Sequence, residues 1–127
     1  GKGVLQDYKQ AVYWYTKAAE QGVAKASFNI ALCYDEGYGV LEDDKQAVYW
    51  YTKAAEQGDA RTQFSLAISF ATGVGVSKDK IQAYAIFLHA KLNGYDASTV
   101  NEVIENLSLT SEQREEGQQL AKTLFTD

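Results

Sequence analysis

Few side chains in this sequence could do chemistry, and they are scattered. Cys33 is the one cysteine and His89 the one histidine among 127 residues. A nucleophilic thiol needs a lowered pKa and a neighbouring base, and a metal site needs ligands at short, regular spacing. Neither pattern surrounds these two residues, so Cys33 is expected to pack as a small hydrophobe and His89 to lie on the surface. The acidic pairs Asp35-Glu36 and Asp43-Asp44 suggest acid–base work or a calcium site. Sequence neighbours do not share a helical face, however, and no loop carries calcium-ligand spacing, so structural or solvent roles are expected. Gly37-Tyr38-Gly39 and Gly73-Val74-Gly75 lack the third glycine of a phosphate-binding fingerprint and follow helical sequence rather than a strand. The expectation is no catalytic residue, no metal site and no cofactor.

Charge narrows the partners. Seventeen acidic and twelve basic residues give a formal net charge of -5, and no Lys or Arg cluster could neutralise a phosphate backbone. Nucleic acid and acidic membrane surfaces are thereby disfavoured as ligands, and no apolar run approaches the roughly 18 residues of a membrane span. Membrane insertion is not expected. A lone cysteine leaves the redox compartment open. The cytoplasm is favoured, with the periplasm or the exterior open if a signal peptide has been removed.

The elements that position these residues follow from a repeat. Gly22, Gly37, Gly58, Gly73 and Gly94 are separated by 15, 21, 15 and 21 residues, which is a period of 36. Shifted by one period, Lys9 to Gly22 matches Lys45 to Gly58 at every position. The third copy keeps Gly73, Gly75, Val76, Asp79, Gln82, Ala83, Ala90 and Gly94 but replaces the Trp-Tyr pair.

Each unit reads as two antiparallel helices. The longer starts after Asp7, Asp43 or Asp79, with Gln10, Gln46 or Gln82 three residues on, the pattern of a reciprocal capping box. Ala47, Trp50, Tyr51, Ala54 and Ala55 form its apolar stripe, and Gly22, Gly58 and Gly94 end it in a left-handed turn. The shorter helix spans roughly Ala24 to Glu36 and Ala60 to Thr72, where small Ala31 and Ala67 let the paired helix approach closely. Val40 and Val76 plug the corner between the two. Trp14, Trp50, Tyr15 and Tyr51 are expected to pack within and between units, leaving Tyr13 and Tyr49 partly exposed.

Two further helices follow. Asp96 to Leu107 carries Val100, Val103, Ile104 and Leu107 on one stripe, and Thr110 with Gln113 opens a last helix reaching about Phe125. Leu120, Ala121, Leu124 and Phe125 face inward there, and Glu115, Glu116, Gln118, Gln119 and Lys122 face solvent. The whole is one all-α domain, an α/α superhelix over residues 1–127. It comprises a partial unit at about 1–22, units at 23–58 and 59–94, and terminal helices over 96–125. Residue 1 falls inside a Gly-x-Gly-Val corner and the chain has no methionine, which together predict a portion of a longer repeat array.

Gly37-Tyr38-Gly39-Val40, Asp43, Ala47-Val48-Tyr49-Trp50-Tyr51 and Lys53-Ala54-Ala55-Glu56-Gln57-Gly58 resemble Sel1-like repeats, relatives of the tetratricopeptide repeat with longer units. The resemblance covers residues 1 to about 96. It implies a right-handed superhelix used as an adaptor in protein complexes, signalling or host interaction. Secreted members of this kind carry disulfides that the chain lacks. By analogy with tetratricopeptide arrays, the short helices line a concave groove.

On those short helices, variation between copies concentrates off the core stripe: Lys25 against Arg61, Asn29 against Ser65, Cys33 against Ser69. These six are the candidate binding residues. The expected function is a scaffold or adaptor that holds a peptide or helix of another protein in the groove, without catalysis. Further repeats of a parent chain are a second kind of partner. A hydrolase with its site in the groove and a passive spacer within a larger repeat protein are the alternatives.

Overall fold

The computed structural model describes residues 2–125, with side chains from residue 7 onward. Among the described residues the chain forms seven helices and no strand: α1 (Lys2–Glu20), α2 (Ala24–Glu36), α3 (Asp44–Ala55), α4 (Ala60–Thr72), α5 (Lys80–Leu92), α6 (Ala97–Asn106) and α7 (Ser111–Thr123). Gly1, Thr126 and Asp127, at the two ends of the expected domain, lie outside them. Each helix from α1 to α5 packs on the next, α6 follows on α5, and α7 turns back onto α5 as well. This is the expected all-α superhelix of paired helices.

Caps set the phase of the helices. Asp43 accepts from the amides of Lys45 and Gln46, and Asp79 repeats the arrangement with Ile81 and Gln82. Such a cap contributes about 1 kcal/mol. The reciprocal half of the box is different from expectation. The Asp43 amide donates to the Tyr34 carbonyl and the Asp79 amide to the Phe70 carbonyl, both at 2.9 Å, so the preceding short helix takes the place of the glutamine side chain. A complete capping box occurs at Thr110 and Gln113, where the Thr110 amide donates to the Gln113 side chain instead.

Asp7 does not cap a helix, contrary to expectation, because α1 runs unbroken from Lys2. The two true corners show what holds them open. Gly39 sits so close to α1 that an added Cβ would lie 2.6 Å from the Tyr8 carbonyl oxygen, and Gly75 sits equally close to the Asp44 carbonyl on α3. For a corner at Gly3 the matching helix and carbonyl would have to precede residue 1. In this chain α1 instead continues through Gly3.

Burial follows the apolar stripes. Ala31, Ala54, Ala55, Ala67 and Ala83 are wholly buried, and with Phe28, Tyr51, Leu66 and Phe87 they form one continuous core from α2 to α5. Val100, Ile104 and Leu107 of α6 extend it. Aromatic contacts bridge unit boundaries. Tyr8 stacks on Tyr38 at 4.9 Å, Arg61 lies over Phe28 at 3.7 Å, and Phe64 stacks on Tyr95 at 4.2 Å. Buried Gln63 adds a polar link by donating to the Ala55 carbonyl and accepting from Asn93.

The weak third copy now has a physical cause. On α1 and α3 the aromatic face is open: Tyr13 and Tyr49 are half exposed, each beneath the ammonium of Lys17 or Lys53. Trp14 is 66% exposed, which corrects the expectation that it packs between units, while Trp50 and Tyr15 are half-buried. The same positions on α5 are Ala85, Ile86 and His89, and α7 lies against this helix. Ala85 and Ile86 are buried. His89 is not a surface residue, because its Nε2 meets the Ala121 carbonyl at 2.7 Å and its ring meets Phe125 edge-on. A carbonyl only accepts, so Nε2 carries the proton. Gly117 is buried on α7 where the Tyr84 ring crosses it, and Gln118 donates to the Tyr84 hydroxyl rather than facing solvent alone.

Candidate functional site

Where α3 crosses α4, the end of α2 closes one side of a cleft of about 280 Å3. Its apolar wall is Ala47, Val48, Phe64, Ile68 and Val74, and its polar groups are Asp35, Asp44, Tyr51, Ser65, Ser69 and Thr72. The helical repeat explains the wall: Ser65 and Ser69 are four apart on α4, as are Ala47 and Tyr51 on α3, so each pair stands on one face. Gly75 leaves room for Val48 at this corner, since an added Cβ there would lie 2.8 Å from Val48 Cγ2.

Of the six candidate residues, Ser65 and Ser69 line this cleft. The Ser69 hydroxyl turns back to the Ser65 carbonyl at 3.4 Å, a long bond that an incoming ligand group could replace. Arg61 is exposed one turn earlier on α4, with its guanidinium over Phe28. Lys25 is exposed and Asn29 half-buried on α2, away from the cleft. Cys33 is misplaced by the sequence argument. It is buried, at 6% exposure, and burial pushes its thiol pKa up, so it offers no reactive thiolate to a groove. The short-helix stripe predicted from variation is therefore not one surface.

Asp35, Asp44 and Tyr51 are the cleft residues that sequence reasoning missed as a group. Asp35 ends α2 and Asp44 begins α3, and the corner between those helices brings them to one mouth. Desolvation raises the Asp35 pKa, and the charges of Glu36, Asp44 and Glu42 raise it further. The Tyr51 phenol is driven well above its ordinary range, first by burial and then by Asp35 and Glu36, with Arg61 opposing. The Tyr51 ring packs against Phe28 at 5.8 Å and the residue is 5% exposed. Its hydroxyl makes no hydrogen bond to any described residue, yet it is not sealed from solvent as the Ser27 and Thr62 hydroxyls are. It therefore opens to the cleft.

A signal for this trio was present in the repeat. One period later Asp35, Asp44 and Tyr51 become Ala71, Lys80 and Phe87, so both acids and the phenol disappear together. No group of three His, Cys, Asp or Glu among the described residues is placed to hold a metal ion. No helix among them is long and apolar enough to cross a membrane.

The Sel1 repeat profile matches residues 1–23, 24–59 and 60–95. One similar solved structure is a protective antigen present in uropathogenic Escherichia coli strains, displaying an SLR fold. It has 35% identity and a TM-score of 0.84 over 91% of this chain and 25% of that one. A Sel1 repeat protein from Oxalobacter formigenes is 36% identical with a TM-score of 0.71, over 76% of this chain and 39% of its own. The chain thus spans well under half the length of either. No curated protein matches it.

Proposed function

The chain belongs to the Sel1 repeat family, whose repeats are generally protein–protein interaction modules, and from that premise we propose that it binds a peptide or helix of another protein along the α3–α4 cleft. The observation that carries this reading is the cleft itself. It combines an apolar wall from Val48, Phe64 and Ile68 with hydroxyls from Ser65, Ser69 and Tyr51 that can meet backbone groups of a bound segment. Lys25, Asn29 and Arg61 stand on the same run of short helices and would meet the flanks of a longer ligand. Cys33, being buried, acts through the core instead.

A role without catalysis is supported by how the two most reactive side chains are spent. Cys33 is held as a thiol by burial, and the His89 Nε2 proton is committed to the Ala121 carbonyl that docks α7. Further repeats of a parent chain would stack on α1, whose aromatic flank is open. Selection of a displayed random-peptide library on the folded chain tests the cleft reading. Selected peptides are expected to shift the amide resonances of Ser65 to Thr72. Ser65→Arg or Ser69→Arg should weaken them at least tenfold with an unchanged melting temperature. Peptides that settle instead on the Tyr49–Lys53 face, indifferent to both substitutions, would remove the assignment.

A further inference from the structure

At about 280 Å3 the cleft has room for a long side chain of a bound segment. Its walls and its mouth differ in chemistry. Val48, Phe64 and Ile68 give an apolar shaft, while Asp35 and Asp44 give two carboxylates, with Tyr51 also on the lining. Every charge acting on Asp35 is negative, coming from Glu36, Glu42 and Asp44. The carbonyl end of α2 adds partial negative charge at the same place. Arg61 is the base that acts on the Tyr51 phenol, and its guanidinium lies over the Phe28 ring. Acidic crowding alone would not make a site. The independent observation is the Tyr51 hydroxyl, on a residue 5% exposed, which faces the cleft without a partner among the described residues.

We propose that this cleft is a socket for a lysine or arginine side chain of the bound protein segment, its methylenes against Val48, Phe64 and Ile68 and its cationic head between Asp35, Asp44 and the Tyr51 hydroxyl. The head donates; the carboxylates and the phenol oxygen accept. A metal cation is a poor occupant, since half of the lining is hydrocarbon and no three carboxylate, thiol or imidazole groups converge among the described residues. The long aliphatic stems of lysine and arginine suit such a wall, as they bury hydrocarbon while the charge stays at a polar mouth. The following unit offers no second socket, because Ala71, Lys80 and Phe87 replace both carboxylates and the phenol there.

The inference rests on the peptide-binding reading, but its test does not. n-Pentylammonium serves as the probe and n-pentanol as its uncharged counterpart, each titrated into the folded chain while backbone amide resonances are followed. Pentylammonium is expected to shift Val48 and the Ser65 to Thr72 amides and to bind at least tenfold tighter than pentanol, with the advantage shrinking in high salt. Asp35→Asn with Asp44→Asn should abolish that advantage, and Tyr51→Phe, which keeps the packing on Phe28, should weaken the ammonium about threefold. Equal binding of the two probes, or full ammonium affinity in the double variant with unchanged circular dichroism, overturns the socket. Peptides that occupy the cleft without lysine or arginine overturn the socket alone. A cleft that takes pentylammonium while no selected peptide enters it leaves the socket standing and overturns the peptide reading.

Discussion

Two glycines with the same backbone hand separate local strain from contact between units. Gly58 has φ +87 and nothing within 4 Å of an added Cβ. Gly75 has φ +80, but its Cβ would overlap the Asp44 carbonyl oxygen and lie 2.8 Å from both the Asp44 carbonyl carbon and Val48 Cγ2. Gly58→Ala therefore costs only the left-handed penalty, about 1–2 kcal/mol. Gly75→Ala carries that penalty plus overpacking against main chain that cannot swing aside, roughly 1–3 kcal/mol more. The sum is about 2–5 kcal/mol for Gly75→Ala. At roughly 4 °C per kcal/mol for a chain of this size, it should melt some 4–12 °C below Gly58→Ala. Urea unfolding followed by circular dichroism measures the difference as a shift in midpoint at constant slope. Equal midpoints for the two variants would refute the reasoning, since they would mean that the Gly75 corner does not rest on α3.

Further outcomes follow from single side chains. Thr62→Val and Ser27→Ala each remove a buried hydroxyl without a hydrogen-bond partner, and each should raise stability by up to about 1 kcal/mol in the same urea assay. Asp35 has a raised pKa, so the folded state holds its proton more tightly than the unfolded state, and ionisation costs stability as pH rises above the ordinary value of 3.8. Asp35→Asn should accordingly raise the melting temperature at pH 7 and lose that gain as pH falls below 3.8. Gly117→Ala places a methyl group into the Tyr84 ring and should release α7, raising amide exchange over Ser111–Thr123 while α2 to α4 stay protected.

Period and punctuation made most of the fold legible before any coordinate. The bounds of α2 and α4 agree with the expected Ala24 to Glu36 and Ala60 to Thr72, because glycine at the C-cap and apolar residues three or four apart are local signals. What escaped is non-local. Asp7 carries the same cap signature as Asp43 and Asp79 but lies inside α1, whereas the Asp43 and Asp79 amides also donate to carbonyls of α2 and α4, contacts that local sequence does not encode. Trp14 and Trp50 sit in identical sequence, yet one is mostly exposed and the other half-buried, so their neighbours decide and not their residue type. The third copy's departure at His89 is instead part of the seat of α7, since its ring meets the Ala121 carbonyl and Phe125. Asp35 and Asp44 lie nine positions apart on different helices, and no helical spacing rule could pair them across a corner.

The central claim is that consecutive units share faces in one open stack, which is what creates the cleft. Side-chain NOE spectroscopy on the folded chain tests it at each junction. Cross-peaks are expected between the rings of Tyr8 and Tyr38, between Phe28 and the Arg61 side chain, and between Phe64 and Tyr95, separated here by 4.9, 3.7 and 4.2 Å. A spectrum that keeps the pair within a unit, such as Phe28 with Tyr51, but lacks all three junction contacts would contradict the stack.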